Sequence, residues 1–338
     1  MRATLILVVC AAILAGCGHL VEAPVPIQAP PEPPVAATFS VNDADLPDPL
    51  MFIVYGDTRF TNPQETAATN PSVRLALIDK IADEQPAAVF ITGDLPWHGL
   101  GDDYAEYREE NRPWRQLHLR IYPALGNHEF AACAEAECLE RWWSAFPELR
   151  GRRWYSVALG SRVLAAALDS DASLLPDSEQ RRWLEHQLSI IDPKVQLILL
   201  VLHHPPVADE QSTKLADHNP RPNEQSLAEY LTALAAHTRA RIVVSAGHIH
   251  NYERFARDGV TYLVTGGGGA KPYEVDRTPA DLYQSRDFPN YHYVRFELHP
   301  NVLVGEMFRL KTGASGEPKI DAPAVFEVRD RFELTLLP

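Results

Sequence analysis

The sequence predicts an α/β fold, and three observations support this. Short apolar runs rich in Val, Ile and Leu recur along the chain and are typical of buried strands. Stretches with helical periodicity lie between the first of these runs. Polar side chains that bind cations follow several of the runs directly. Strands that alternate with helices favour a largely parallel sheet with crossovers, and such sheets bind ligands outside the carboxyl ends of their strands.

The predicted elements begin near Asp48, where folding is expected to start. We predict helices over 71–84 and 104–119. The predicted strands before residue 270 are 51–55, 87–91, 121–125, 162–168, 195–202, 241–245 and 260–265. Three later segments alternate in the manner of strands and are expected to extend the second sheet: 291–298, 302–310 and 325–336.

Cation-binding residue types stand at the carboxyl ends of five predicted strands. One of these, the strand 241–245, leads into Gly247-His248-Ile249-His250, where two histidines lie one residue apart. Alternate residues of an extended backbone point the same way, so the two imidazoles make a ready pair of metal ligands. For this motif alone, the alternative is two loop histidines without a role. The strand-end residues are Asp57, Asp94, Asn127, His203 and His248.

Composition limits the class of protein. The chain has 338 residues, 46% of them hydrophobic and 22% charged, enough for one large domain or two smaller ones. Its formal net charge of -14 argues against a general nucleic-acid binder, and we expect no stable nucleic-acid partner. An acidic surface does not exclude a small phosphorylated substrate held at metals, because the metal charge dominates such a site.

The N-terminal residues are predicted to be a targeting segment. Residues 1–16 have a positive Arg2 and an apolar run too short to span a bilayer, as in a signal peptide. The run ends in Leu14-Ala15-Gly16-Cys17, which resembles the lipobox of bacterial lipoproteins. Lipid on Cys17 would anchor an exported protein to a membrane on its extracytoplasmic side. The alternative is an ordinary signal peptide with an incidental cysteine.

A linker is predicted to follow the targeting segment. Residues 17–47 contain the proline-rich stretch 22–34, which favours extended polyproline II and acts as a spacer. The globular domain is then expected over 48–338.

The series of motifs resembles the calcineurin-like metallophosphoesterase superfamily. The motifs occur in the order found in this superfamily. The most specific of them are Gly126-Asn127-His128-Glu129 and, later in the chain, Gly247-His248-Ile249-His250. The segment from Gly247 to Arg254 is most similar to purple acid phosphatases. The resemblance covers the chain from about residue 57 to residue 250 and implies a four-layer α/β/β/α sandwich. Two mixed sheets would pack face to face with helices outside. The motifs are Gly56-Asp57, Gly93-Asp94, Gly126 to Glu129, His203-His204-Pro205 and Gly247 to His250.

The resemblance implies two divalent or trivalent metal ions, Fe, Mn or Zn. Asp94 would bridge them, since a carboxylate has two oxygens to share. Asp57 and His250 would complete one site. The other site would use Asn127, His203 and His248.

The implied reaction is hydrolysis of a small phosphate ester, and a monoester is the expected substrate class. A hydroxide bridging the metals would attack phosphorus, and His128 would protonate the leaving oxygen. Two alternatives remain open. One is a phosphodiesterase or nuclease of the same fold, and the other is a non-catalytic binding protein with a degenerate first metal site.

Two positions depart from the family pattern. Arg59 stands where many members have His, and it is either a contact to substrate phosphate or part of a structural salt bridge. Trp97 stands where purple acid phosphatases have a tyrosine ligand, and an indole has no lone pair to give. His98 or a water would have to take its place.

Two smaller features have local interpretations. Cys133 and Cys138 form either a disulfide that staples the loop carrying His128 or two free thiols; with no second pair, a zinc ribbon is excluded. The glycines 266–269 lack the Lys-Ser/Thr of a P-loop and predict a tight turn close to the metal site.

Overall fold

The computed structural model describes residues 35–211, 215–311 and 324–337. The predicted signal peptide, Cys17 and the proline-rich stretch 22–34 lie outside these ranges. Among the described residues, no helix combines the length and apolar character needed to cross a membrane.

Within the described ranges the chain forms thirteen strands and six α-helices. The strands are β1 (Phe39–Val41), β2 (Leu50–Tyr55), β3 (Ala88–Ile91), β4 (Ile121–Pro123), β5 (Tyr155–Leu159), β6 (Val163–Ala167), β7 (Leu197–Leu202), β8 (Arg241–Ala246), β9 (Tyr252–Arg257), β10 (Val260–Thr265), β11 (His292–Leu298), β12 (Val302–Leu310) and β13 (Phe326–Thr335). The helices are α1 (Pro71–Glu84), α2 (Gly101–Glu110), α3 (Arg112–Gln116), α4 (Glu135–Ala145), α5 (Glu179–Ser189) and α6 (Pro222–Ala235).

The strands form two mixed sheets, as the family resemblance implies. One has seven strands in the order β1-β5-β6-β7-β8-β10-β9, and the other has six in the order β13-β12-β11-β2-β3-β4. The expectation of a largely parallel sheet holds only for part of each. The strands β6-β7-β8-β10 pair in parallel between antiparallel neighbours, and β2-β3-β4 pair in parallel at one end of the six-stranded sheet. The long C-terminal strands β11, β12 and β13 pair antiparallel, and a short connection joins the first two.

The seven-stranded sheet is buried on both faces. In β7, Leu197, Leu199 and Val201 pack toward the six-stranded sheet, in the core that also contains Phe52 and Phe90. The alternate residues of β7 pack with α5 and α6 in a second core. This alternation explains why the strand is one continuous apolar run, and it places helices outside the sheet.

The helix α1 begins and ends as its sequence predicts. Asn70 caps the helix by accepting a hydrogen bond from the N–H of Val73 at 3.2 Å, and Pro71 fills the first helical position. Gln85 ends it in a left-handed conformation, with φ of 49°.

One predicted helix is wrong. The stretch 104–119 is two helices, α2 and α3, separated at Asn111. Pro113 follows closely, and because it has no N–H and disfavours a helical residue before it, it ends the first helix and starts a second.

The folded part begins upstream of the predicted boundary at residue 48. Strand β1 lies within the predicted linker 17–47 and pairs in parallel with β5, where Phe39 lies opposite Val157. The ring of Phe39 packs edge-on against Tyr155 at 5.5 Å. At least this part of the segment 17–47 therefore belongs to the sheet.

Candidate metal centre

Loops at the carboxyl ends of five strands bring the predicted metal ligands together. Because β2, β3 and β4 are parallel neighbours, their following loops emerge at one edge of their sheet, and β7 and β8 do the same in the other sheet. All six predicted ligand side chains lie in these loops: Asp57 after β2, Asp94 after β3, Asn127 after β4, His203 after β7, and His248 and His250 after β8.

His203 is the centre of one half of the site. Its Nδ1 lies 2.9 Å from the carbonyl oxygen of Thr92 and donates to it, which leaves a lone pair on Nε2. That Nε2 lies 3.0 Å from Oδ1 of Asn127, 3.2 Å from Oδ1 of Asp94 and 3.1 Å from Nδ1 of His248. Buried acceptors that face one another in this way are stabilised by a cation, and a metal-binding His usually donates its other N–H to a carbonyl.

Asp57 and His250 form the other half. His250 donates from Nδ1 to the carbonyl of Lys271 at 2.7 Å, and its Nε2 is buried without a hydrogen-bond partner, 3.5 Å from Oδ1 of Asp57. Burial raises the pKa of Asp57 to about 7, with a further contribution from the negative charge of Asp94. A cation beside this carboxylate would relieve both effects and would supply the missing partner of His250.

Asp94 lies between the two halves. One ligand atom from each of Asp57, Asp94 and His203 lies within 4.8 Å of the other two. Burial opposes ionisation of Asp94, but its electrostatic interactions with His203, His128 and Arg59 outweigh this effect and hold the pKa of Asp94 well below its usual range. Asp94 is therefore the ionised carboxylate at the middle of the donor set.

The backbone at the site is tightly constrained. Asp57, Asp94 and His248 have left-handed φ values of 58°, 52° and 70°. Such residues cost on the order of 1–3 kcal/mol each and concentrate at functional sites. A Cβ on Gly247 would lie 2.4 Å from Oδ2 of Asp57, and one on Gly266 would lie 2.9 Å from the same atom. The predicted glycine turn 266–269 thus begins beside this carboxylate.

His128, the predicted general acid, lies at the edge of the donor set. Its Nδ1 is 2.6 Å from the carbonyl oxygen of Trp97, and its Nε2 is 3.8 Å from Oδ2 of Asp94. Burial lowers the pKa of His128, and the charge of Asp94 opposes this shift. Donation from Nδ1 leaves Nε2 as the atom available for proton transfer.

The two departures from the family pattern lie against each other. Arg59 forms an ion pair with Asp94, with its terminal nitrogen 3.3 Å from Oδ2, so the structural salt bridge exists. Its Nε is buried without a hydrogen-bond partner and remains a free donor. The imidazole of His98 lies against the indole of Trp97 at 4.9 Å, and His98 belongs to neither group of metal-binding side chains found among the described residues.

Sequence reasoning missed three side chains at the site. The buried carboxylate of Glu129 accepts hydrogen bonds from the N–H groups of Asp94, Leu95 and Gly126 at 2.8–3.1 Å, and so ties two ligand loops together. Its place in Gly-Asn-His-Glu was the available signal. His204, beside a predicted ligand, is held by the Ser170 hydroxyl at 2.8 Å.

The third is His218, which has no sequence signal of this kind. Its ring lies 4.6 Å from that of His248, and its Nδ1 is buried without a hydrogen-bond partner. It lines a cleft of about 540 Å³ together with Arg59, Trp97, His250 and Tyr273. The cleft gives access to the donor set from solvent.

Cys133 and Cys138 are joined in a disulfide next to this site. The bridge follows the loop of His128, and Cys133 Sγ lies 3.7 Å from the carbonyl of Gly99, near Trp97. Of the two alternatives, the structure therefore has the disulfide.

These motifs and this fold agree with a known family. A family model for calcineurin-like phosphoesterases matches residues 50–252, a span that contains all six predicted ligands and His128. The chain belongs to the calcineurin-like phosphoesterase family. Members of the family carry a dimetal site, and the donor set described above fits one.

The sequence is also similar to that of a curated protein. It is 27% identical over 217 residues to probable purple acid phosphatase 20 from Arabidopsis thaliana. The aligned region covers 56% of this chain and 48% of the relative. The chain thus spans about half the length of this curated relative.

Solved structures share the fold at low sequence identity. The purple acid phosphatase PPD1 from yellow lupin has a TM-score of 0.65 and 17% identity, over 85% of this chain and 53% of its own. PhoD has a TM-score of 0.58 and 12% identity, over 85% and 69%. GAP50 of Plasmodium, described as the anchor in the inner membrane complex, has a TM-score of 0.57 and 15% identity, over 86% and 89%.

Proposed function

We propose that this protein hydrolyses phosphate esters, monoesters most of all, with two metal ions held by its six strand-end ligands. The observation that carries the proposal is the buried set of acceptors around His203, Asp94 and Asp57, which face one another at 3.0–3.5 Å or lack a partner. Asp57 and His250 would hold one ion, Asn127, His203 and His248 the other, and Asp94 would serve both.

Metal ions bound there would supply an ionised water near neutral pH and would neutralise phosphoryl charge. The protein's own residues would do the rest. Arg59 has a free Nε–H donor beside the donor set, and a guanidinium matches phosphate oxygens. The ring of His218 lies 4.6 Å from that of His248, where its unpartnered Nδ1 would donate to or accept from a bound ester.

His128 would act as the general acid. The carbonyl of Trp97 holds the Nδ1 proton of His128 through the 2.6 Å hydrogen bond, so that in the protonated imidazole the proton on Nε2 is the one transferred. A proton delivered to the leaving oxygen is needed most when that oxygen belongs to an alkyl alcohol, since an alkoxide is a poor leaving group.

The test is a hydrolysis screen of metal-free protein reconstituted with Fe, Mn or Zn. Alkyl and aryl phosphate monoesters and a bis-aryl phosphate diester are the substrates. The proposal expects turnover that requires metal and favours monoesters. A preference for diesters would instead show a phosphodiesterase of the same fold. Bound metal with no turnover of any ester would contradict the proposal and would favour a binding protein.

A further inference from the structure

Trp97 lies where two loops of the candidate site are paired through their backbones. The strands β2 and β3 are parallel neighbours, and the pairing continues beyond their ends: the N–H of Arg59 donates to the carbonyl of Asp94 at 3.0 Å, and that of Trp97 donates to the carbonyl of Phe60 at 2.9 Å. The backbone position of Trp97 relative to Arg59 is therefore fixed by the sheet.

The indole of Trp97 contacts both predicted catalytic side chains. The imidazole of His128 stacks on it, with ring centroids 4.6 Å apart and planes 17° from parallel. The guanidinium carbon of Arg59 lies 4.7 Å from the centre of the same indole, a cation–π contact. The carbonyl of Trp97 also accepts the Nδ1–H of His128. One residue therefore restrains two side chains that come from different strands.

We propose that Trp97 is the positioning residue of this site, and that its indole sets the orientation of Arg59 and His128 toward a bound phosphate ester. The inference rests on the proposed function. Arg59 is long and keeps a free Nε donor, so an aromatic face that limits its rotamers lowers the entropy lost when it contacts phosphate. The single hydrogen bond to Nδ1 does not fix the plane of the His128 ring, whereas stacking does.

This role is distinct from metal binding. An indole nitrogen is a donor without a lone pair, so Trp97 cannot serve as a metal ligand. Its loss is expected to leave metal content unchanged. Trp97→Phe keeps a flat aromatic face, and Trp97→Leu removes it while retaining apolar volume.

The first test compares wild type, Trp97→Phe, Trp97→Leu and the control Trp183→Leu. Trp183 is a half-buried tryptophan on α5, in the other core. For an alkyl phosphate, we expect Trp97→Leu to lower kcat/KM by about 100-fold through misorientation, with both a lower kcat and a higher KM. Trp97→Phe should recover most of this loss, and Trp183→Leu should behave as wild type.

A double-mutant cycle separates positioning from general damage. If Trp97 acts on kcat through His128, adding Trp97→Leu to His128→Ala should lower kcat for the alkyl ester by less than about threefold. Full additivity, equal losses in Trp97→Phe and Trp97→Leu, unchanged kinetics in Trp97→Leu, or loss of bound metal would each overturn the proposal.

A measurement that needs no turnover keeps this inference separable from the proposed function. In zinc-loaded protein, the ring protons of His128, assigned by their absence in His128→Ala, should be shifted upfield by the indole and should return toward ordinary positions in Trp97→Leu. If no ester is hydrolysed, the proposed function fails, and this shift alone decides the arrangement. Ring signals that are the same in both proteins would overturn it.

Discussion

At the residue scale, the site concentrates unusual backbone and buried charge on a few side chains. Three of the six predicted ligands, Asp57, Asp94 and His248, have left-handed backbones. A structure retains such conformations only when its surroundings over-determine them. Here the neighbouring glycines, the Glu129 carboxylate and the paired loops provide that restraint.

Mutation of His128 tests its role as the general acid. His128→Ala should lower turnover of an alkyl phosphate by roughly two to four orders of magnitude, the usual contribution of a general acid. The loss should shrink for a nitrophenyl phosphate, whose leaving group departs as a stable anion. Steady-state kinetics with both esters measures this. His237→Ala, at an exposed position after α6, is the matched control.

Metal content separates this role from a structural one. The variant should bind as much metal as wild type, because Asn127, next to His128, is the predicted ligand. Equal losses for both esters, or loss of bound metal, would show that His128 holds the site together and does not donate the proton.

The motifs predicted the position of the metal-binding side chains but not their supports. Asp57, Asp94 and the two histidines of Gly-His-Ile-His follow apolar strands, so their placement follows from the parallel pairing of those strands. The contacts of Trp97 and Glu129 depend on where the backbone groups of a neighbouring loop lie, which no local pattern records. His218 lies well beyond His203 in a loop without periodicity.

At the element scale, β9 connects the Gly-His-Ile-His loop to the loop that carries His218. Glu253 of β9 accepts a hydrogen bond from the N–H of Asp209 at 3.1 Å, and its Oε1 is buried without a partner, as is Oδ2 of Asp209. Burial raises the pKa of Glu253 to about 8, and the charges of Asp209 and Asp281 add to the shift, while Arg277 opposes it.

This shift predicts a pH-dependent stability. Between the ordinary pKa of Glu and about 8, the folded protein holds a proton on Glu253 that the unfolded chain has lost, so the free energy of unfolding falls as pH rises. Glu253 should lower it by on the order of 3 kcal/mol between pH 5 and pH 8. Glu253→Gln, a neutral isostere, should remove this part of the decline.

Urea unfolding of both proteins across this pH range is the measurement. Glu297→Gln, on β11 and only partly buried, is the control. A decline of the same size in wild type and Glu253→Gln would contradict the assignment of this carboxyl.

The strands show which sequence patterns are sufficient to predict a strand. The apolar runs of β2, β3, β7, β8 and β10 predicted those strands because they are buried on both faces. The segments of β5 and β9 were missed: β9, Tyr252–Arg257, has charged and partly exposed residues and lies at a sheet edge. Strand β1 was assigned to the linker because it is short and close to the prolines.

At the scale of the whole molecule, strand order could not be predicted from local pattern. Strand β11 pairs with β2, so that Val294 lies opposite Val54 although most of the chain separates them in sequence. The family resemblance implied two mixed sheets, whereas the alternation of strands and helices alone favoured a largely parallel sheet. Long-range pairing depends on the packing of the complete core, which the periodicity of one segment does not encode.

We propose that the whole molecule is exported and anchored by lipid on Cys17. Cys17→Ala should move the protein from the detergent phase to the aqueous phase when cells are partitioned with a cloud-point detergent, because it removes the lipidation site. Cys10→Ala, within the predicted signal peptide, should partition as wild type. Wild-type protein that is found in the aqueous phase, with a mature N-terminus other than Cys17, would contradict the anchor.

On our proposal, the facing acceptors form a two-metal site that hydrolyses phosphate esters. The most direct measurement is a metal titration of metal-free protein, followed by elemental analysis and by the rate of hydrolysis of one monoester in the same samples. Asp94→Ala is compared with Asp83→Ala, an exposed aspartate on α1. We predict two ions per chain in wild type and Asp83→Ala, with activity that requires both ions. In Asp94→Ala we predict neither bound ions nor activity. Full activity in metal-free protein, or in Asp94→Ala, would contradict it.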